Sequence, residues 1–252
     1  MSYQQCLQDL SLASRILAHH GIVDGYGHVS CRDPRNPKEH YLLSRNMAPA
    51  LVEAEDIVTW RISNAEPVDP DAPRGFLERC IHSEIYRQYE DVHAIVHFHS
   101  PDIIPFGLMP LPFKPVYHMA SFLGADSPPI FDMRDAIGPA TDMLIRNTTH
   151  GAALASSFAP SNPSEPTLPL VFMRGHGATL TAPSLKISVF RAVYTQHNAR
   201  ILTSLSSLVG GASDVIARDA RFLSAEECDV ATKTISGQVD RAWEVWCKEL
   251  EA

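Results

Sequence analysis

Apolar residues recur at helical spacing near the start of the chain, at Leu7, Leu10, Leu12, Ile16 and Leu17. They predict an amphipathic helix from about Tyr3 to His20, ended by Gly21. The pattern then shortens to β-like segments at His28–Arg32, Tyr41–Ser44 and Asp56–Ile62, separated by Pro, Asn and Gly. A turn-rich break at Pro70–Pro73 precedes an amphipathic helix over Leu77–Tyr89 and a strand over Val92–His99. Pro101 to Pro129, rich in Pro and aromatics, reads as functional loop around short helices. Helices are expected at Arg134–Asn147 and Gly151–Phe158, and a surface loop at Ala159–Pro169. The apolar run Leu170–Met173 reads as a buried strand leading into Arg174-Gly175-His176-Gly177. A long helix follows from about Pro183 to Leu208, with Pro tolerated in its first turn. A last helix spans about 224–250, opened by a Ser224/Glu227 capping box and carrying a Trp243, Trp246, Leu250 stripe suited to core or subunit contact. The pattern holds no repeat and no linker. It predicts an α/β fold, one domain over residues 1–252, with helices covering a sheet.

Composition changes this picture little. With 252 residues and 45% hydrophobic content, the chain is long enough to bury a core without staples. A net charge of −8 argues against nucleic-acid and anionic-membrane partners, which need clustered positive charge. The cysteines Cys6, Cys31, Cys80, Cys228 and Cys247 are dispersed, without a C-x-x-C pair, which fits thiols in a reducing compartment. The polar first residues and the absence of a long apolar run make a cytoplasmic location the expectation.

The candidate chemistry lies at two strand ends. In His97-Phe98-His99, period-two geometry turns both imidazoles to one face, their Cβ atoms about 6–7 Å apart, a spacing that lets both reach one ion. His176, between two glycines after another buried strand, is either a third ligand or a simple turn residue; the glycines permit a sharp turn and a close approach. Three neutral imidazoles suit Zn, Mn, Fe or Co and leave positions open for substrate oxygens. Glu78 and His82, four apart on the predicted helix, share a face. Glu78 is then a general acid/base, a fourth ligand, or a carboxylate favoured by the helix dipole.

These residues resemble the class II aldolase/adducin family. Glu78-Arg79-Cys80-Ile81-His82, Val96-His97-Phe98-His99-Ser100 and Arg174-Gly175-His176-Gly177 follow its order, and the similarity runs from about Tyr3 to Leu208. The resemblance implies an α/β/α sandwich with a central, mostly antiparallel sheet. It also implies a homotetramer with interfacial active sites, and one divalent metal ion on His97, His99 and His176 with Glu78 at the carboxylate position. Zinc or manganese comes first, iron or cobalt as alternatives.

Four departures bear on the substrate. Sugar-phosphate members grip phosphate with a Gly-Asn loop, a Thr-x-x-Gly loop and a Ser pair; here those places are similar to Gly27-His28, Ser44-Arg45-Asn46-Met47 and Phe76-Leu77. An imidazole and a guanidinium suit a carboxylate better than a phosphate cradle. At the place of the family's tyrosine proton donor, supplied by a neighbouring subunit, stands His118, with Tyr117 beside it as the alternative donor. The chain looks nearest to the decarboxylase branch, which acts on pyridine dicarboxylates and dihydroxyphthalate-type acids. The expected reaction is therefore metal-dependent decarboxylation of a hydroxylated aromatic or related acid, with Arg45 and His28 orienting the carboxylate. Retro-aldol cleavage of a non-phosphorylated hydroxy-carbonyl substrate is the alternative, and a non-haem iron oxygenase the third reading.

Overall fold

The computed structural model describes residues 2–109, 111–161 and 167–251. The first helix, α1 (Tyr3–His19), is capped by Ser2, whose side chain accepts from Gln5 N–H, and buries Leu10, Ala13, Ile16 and Leu17 along one stripe. Strands β1 (His28–Arg32), β2 (His40–Ser44) and β3 (Ile57–Arg61) follow. Next come α2 (Cys80–Gln88), β4 (Ala94–Phe98), β5 (Ile130–Phe131), α3 (Met133–Ile137) and α4 (Thr148–Ser156). The chain continues through β6 (Leu170–Met173), β7 (Gly177–Ala182), α5 (Leu185–Leu208) and α6 (Ser213–Asp219). It closes with α7 (Ala225–Ser236) and α8 (Val239–Glu249).

Among the described residues these strands form one seven-stranded sheet in the order β3-β2-β1-β4-β7-β6-β5. Every pairing is antiparallel except β5 with β6. The alternation of side chains sorts the core into two layers. On β4, Val96 and Phe98 join Leu10, Ile16, Val189, Val193 and Trp246 under α1, α5 and α8. On the same strand Ile95 faces the other way, with Ile81, Ile85, Leu154 and Val171 under α2 and α4. The result is the expected α/β/α arrangement with a mostly antiparallel sheet. His97 lies two residues from Ile95, so its side chain belongs to the α2/α4 side.

Several expectations need correcting. The helix expected over Arg134–Asn147 stops at Ile137, because Gly138 turns to φ +94° and Pro139 follows. Residues 138–147 run irregularly, which matters below. The helix expected from Leu77 starts at Cys80, leaving Glu78 in the preceding turn. The terminal helix expected over 224–250 is two helices, broken at Gln238, which leaves helical geometry; its Ser224/Glu227 capping box is present. Strand β7 was not foreseen, since Gly177-Ala-Thr-Leu-Thr-Ala182 is built of small residues without a strong apolar run. The middle of the loop expected at 159–169 lies outside the described residues. Among them the five cysteines are free, although Cys6 and Cys31 bring their Sγ atoms to 3.3 Å. No described helix is long and apolar enough to cross a membrane.

Candidate metal centre

Strand β4 ends by delivering His97 and His99, and the turn between β6 and β7 delivers His176 opposite them. That turn needs its glycines. Gly177 has φ +155°, and a Cβ there would lie 2.1 Å from Phe98 O and 3.0 Å from His99 Cα. Any side chain at 177 would push the two histidine-bearing segments apart. The three imidazoles converge through their Nε2 atoms, with His99 Nε2 3.0 Å from His97 Nε2 and 3.0 Å from His176 Nε2. Glu78 completes the group from the turn before α2, its Oε2 3.5 Å from His97 Nε2 and 3.4 Å from His176 Nε2. Its other oxygen, Oε1, accepts from Ile145 N–H at 2.9 Å.

The partners behind the rings decide which way the lone pairs point. His176 Nδ1 donates to the carbonyl oxygen of Met143 at 2.9 Å, so its Nε2 carries the lone pair. His97 Nδ1 is 3.0 Å from Thr179 Oγ1, and that hydroxyl gives its own proton to Met173 Sδ at 3.3 Å. His97 Nδ1 therefore donates, and its Nε2 lone pair also faces inward. One proton on His99 Nε2 can satisfy one of these two lone pairs. A cation between the rings satisfies all of them together with the carboxylate. The donor set, three neutral imidazoles and one carboxylate with ligand atoms within 4.8 Å of one another, thus fits a divalent metal ion.

Electrostatics point the same way. Burial, with the neighbouring imidazoles adding to it, pushes His99 down to about 3, and burial also lowers His97. Burial alone would raise Glu78, but the His176 and His97 rings set against its carboxylate override it and hold the carboxyl well below the usual carboxylate range. His176 is raised, because Glu78 outweighs the effect of burial. The resting group is an ionised carboxylate among largely neutral imidazoles, the protonation state that binds metals.

Two supporting groups carried no sequence signal. Met143 has φ +65°, an uncommon conformation for a side-chain-bearing residue, and its carbonyl is the acceptor behind His176. Ile145 contributes only its backbone N–H. Thr179 lies on the unforeseen strand β7.

The remaining predicted residues are spread differently. His28 is 5% exposed, and its ring centroid lies 4.6 Å from Phe76, 4.7 Å from His82 and 5.1 Å from His97. It sits beside the cluster as a buried side chain rather than at an open mouth. His82 leaves Glu78 and pairs with His28. Arg45 spends its Nε on Asp56 Oδ1 at 2.7 Å and keeps a partly exposed guanidinium. His118 is exposed, and Tyr117 has a buried hydroxyl without a partner among the described residues. Tyr117 packs with the α1/α5/α8 layer, and no hydrogen bond or ion pair among the described residues joins either residue to the four-residue cluster.

The model of the class II aldolase and adducin N-terminal domain matches residues 8–203. The chain belongs to this family. It is 38% identical over 242 residues to decarboxylase tropJ of Talaromyces stipitatus, covering 94% of this chain and 90% of that protein. It is 27% identical over 219 residues to a 3,4-dihydroxyphthalate decarboxylase of Arthrobacter keyseri, covering 82% and 81%. Among solved structures, an aldolase II superfamily protein of Pseudomonas syringae superposes with a TM-score of 0.74 at 18% identity, covering 99% of this chain and 93% of that one. The fold is that of the class II aldolases, and the chain is an enzyme, a lyase. Members of the family use a divalent metal, and the Glu78, His97, His99, His176 group is one that can hold it.

Proposed function

We propose that this protein is a divalent-metal-dependent decarboxylase acting on a hydroxylated aromatic or related carboxylic acid. The observation that carries the reading is the 38% identity to a decarboxylase over nearly the whole chain, in a protein that assembles three imidazoles and a carboxylate at one point. The metal, zinc or manganese with iron or cobalt as alternatives, would be held by His97, His99 and His176, with Glu78 as fourth ligand or acid/base. When bound, it supplies Lewis acidity that draws off charge as the carboxyl group leaves.

The chain's own residues supply orientation and the proton. His28 and Arg45 orient the carboxylate; the Nη atoms of Arg45 have no protein partner among the described residues and suit bidentate contact. The Phe76 ring beside His28 gives this region an apolar wall where a phosphate grip would need hydroxyls, which suits a planar aromatic acid. The bond from ring carbon to carboxyl carbon breaks, CO2 leaves, and the carbon takes a proton from His118 or Tyr117, or from Glu78 once that carboxylate has itself taken one up. Among the described residues His118 and Tyr117 have no polar link to the cluster of their own protomer, so their donor role would call on a neighbouring subunit. This supports a homo-oligomer, a tetramer by analogy with the family, with interfacial sites. We expect the whole chain, 1–252, to act as one domain in the cytoplasm, with small-molecule substrates and no nucleic-acid or membrane partner.

The test is an anaerobic substrate panel on metal-loaded protein, comparing catechol-type dicarboxylates with hydroxy-aldehyde adducts. CO2 release without O2 is expected. Aldehyde without CO2 would replace the reading by retro-aldol cleavage, and turnover that stops without O2 would replace it by an oxygenase.

A further inference from the structure

A second set of buried polar side chains lies beside the cluster and takes no part in it. His28 Nδ1 is 2.6 Å from His82 Nε2, His82 Nδ1 is 2.6 Å from Ser30 Oγ, and Ser30 Oγ is 2.8 Å from Tyr86 OH. The sequence builds this chain from two periodicities. His28 and Ser30 are two apart on β1 and share a face; His82 and Tyr86 are four apart on α2 and share another. All four residues are buried. His28 Nδ1 and His82 Nε2 face each other at 2.6 Å, so one of the two is a lone pair, and burial disfavours a charge on either ring; both are neutral and each carries one proton.

A chain of neutral groups can run in only two directions. In one, Tyr86 O–H donates to Ser30, Ser30 to His82 Nδ1, and His82 Nε2–H to His28 Nδ1. Every donor inside the chain then has an acceptor, and the proton of His28 sits on Nε2, the end left open for a ligand and not one of the fully buried partnerless atoms among the described residues. In the other, His28 Nδ1–H donates to His82, His82 to Ser30, and Ser30 to the phenol oxygen. The phenol proton is then orphaned, since Tyr86 OH has no other partner among the described residues. A buried donor without an acceptor carries its full desolvation penalty, whereas a phenol oxygen without a donor costs far less. The other charged neighbour of Tyr86 is the Arg32 guanidinium, 4.8 Å over the ring, a cation that can accept no proton. The chain is therefore closed at its far end and has no exit for a proton.

We propose that Tyr86, Ser30 and His82 form a one-way hydrogen-bond chain that locks His28 in its Nε2–H tautomer, making His28 a fixed neutral donor for a carboxylate oxygen of the substrate. Tyr86, Ser30 and His82 are positioning residues; His28 is the residue that meets the ligand. The carboxylate in this statement rests on the decarboxylase reading, while the tautomer rests on the hydrogen-bond geometry alone. The same lock explains a selectivity within the protein. His28 lies 5.1 Å from the His97 ring but has no lone pair left for a metal: Nδ1 is bonded and Nε2 carries hydrogen.

The test is a long-range ¹H–¹⁵N spectrum of the full chain, labelled with ¹⁵N-histidine and loaded with zinc, which is diamagnetic. Signals are assigned through His28→Asn and His82→Asn. Both residues are expected to show Nε2–H with an unprotonated Nδ1, and an Nδ1–H His28 would overturn the proposal. Phthalate, a plain aromatic dicarboxylate, should shift the His28 Nε2–H resonance saturably; no such response would overturn the carboxylate assignment. Ser30→Asp places an acceptor in the chain and should reverse it, moving the His28 proton to Nδ1 and weakening phthalate binding about tenfold, the scale of losing outer support to an imidazole. An unchanged His28 tautomer in a folded Ser30→Asp protein would contradict the mechanism of the lock. The wild-type spectrum decides on its own if that variant does not fold. None of these readouts uses CO2 release, so the lock and the decarboxylase reading can fail separately.

Discussion

Two groups of buried or half-buried imidazoles lie side by side on the same face of the sheet and behave oppositely. In the Glu78, His97, His99, His176 group, the polar partners stand behind the rings: Thr179 behind His97, Met143 O behind His176. The front nitrogens are left facing one another. In the His28, His82, Ser30, Tyr86 group, the partners stand between the rings, and the donors and acceptors match in sequence. The first arrangement can hold a cation among its lone pairs; the second matches its donors and acceptors within the protein. Counting histidines does not separate a metal site from a polar core. The position of the outer partners does.

The largest contrast should come from cutting each group. His99→Ala removes the imidazole common to both close Nε2 contacts. It should lower kcat/KM for CO2 release on the order of 10²–10³-fold, comparable to losing a major electrostatic stabiliser at the reacting centre. Steady-state assays at saturating metal check this, and a loss under tenfold would remove His99 from the centre.

Acid should next separate metal-free protein from its neutral state. His82, His97 and His99 have folded pKa values below the ordinary 6.5, so the unfolded chain takes up protons first. Their contribution is fully present above pH 6.5 and is lost as pH falls from there towards about 3, where His82 and His99 protonate in the fold. The slope approaches about 1.4 kcal/mol per pH unit for each such histidine. His176, raised by Glu78, opposes this, its contribution being lost as pH rises through its folded value. Urea midpoints at pH 7 and pH 5.5 should therefore drop clearly on the acid side; equal midpoints would contradict the assignment of neutral buried rings.

A subtler cut tests the outer partners. Thr179→Val keeps the shape of the side chain but removes the hydroxyl behind His97. Metal affinity should weaken about 10–100-fold, read by competition with a chelator. Tyr86→Phe should leave metal affinity unchanged and raise KM only a few-fold, because Ser30 can still donate to His82. Equal effects of these two variants on metal binding would erase the distinction between the two groups.

Sequence alone reached the clustered side chains better than their support. His97-Phe98-His99 after an apolar strand and Gly175-His176-Gly177 after another are side-chain patterns with few alternatives, and period-two geometry carries most of the inference. The supports are different in kind. Met143 and Ile145 act through a backbone carbonyl and a backbone N–H, which any residue offers, and they sit in a stretch whose composition reads as helix until Gly138-Pro139 is given its weight. Thr179 was hidden because β7 has too little apolar contrast to show its period. His82 was grouped with Glu78 by helical spacing, but the helix starts at Cys80, so the two side chains leave the backbone from different geometries. Its true partner, His28, is 54 residues away, a separation no local pattern encodes. Arg45 stands out in sequence as a guanidinium where a phosphate-gripping loop is expected; its pairing with Asp56 through one nitrogen has no local signal.

The most direct test of the central claim is metal uptake by chelator-stripped protein, comparing wild type, His97→Ala and His28→Asn by titration and elemental analysis. One divalent ion per chain is expected in wild type, with loss of high-affinity binding in His97→Ala and wild-type uptake in His28→Asn. Equal uptake in wild type and His97→Ala would contradict it.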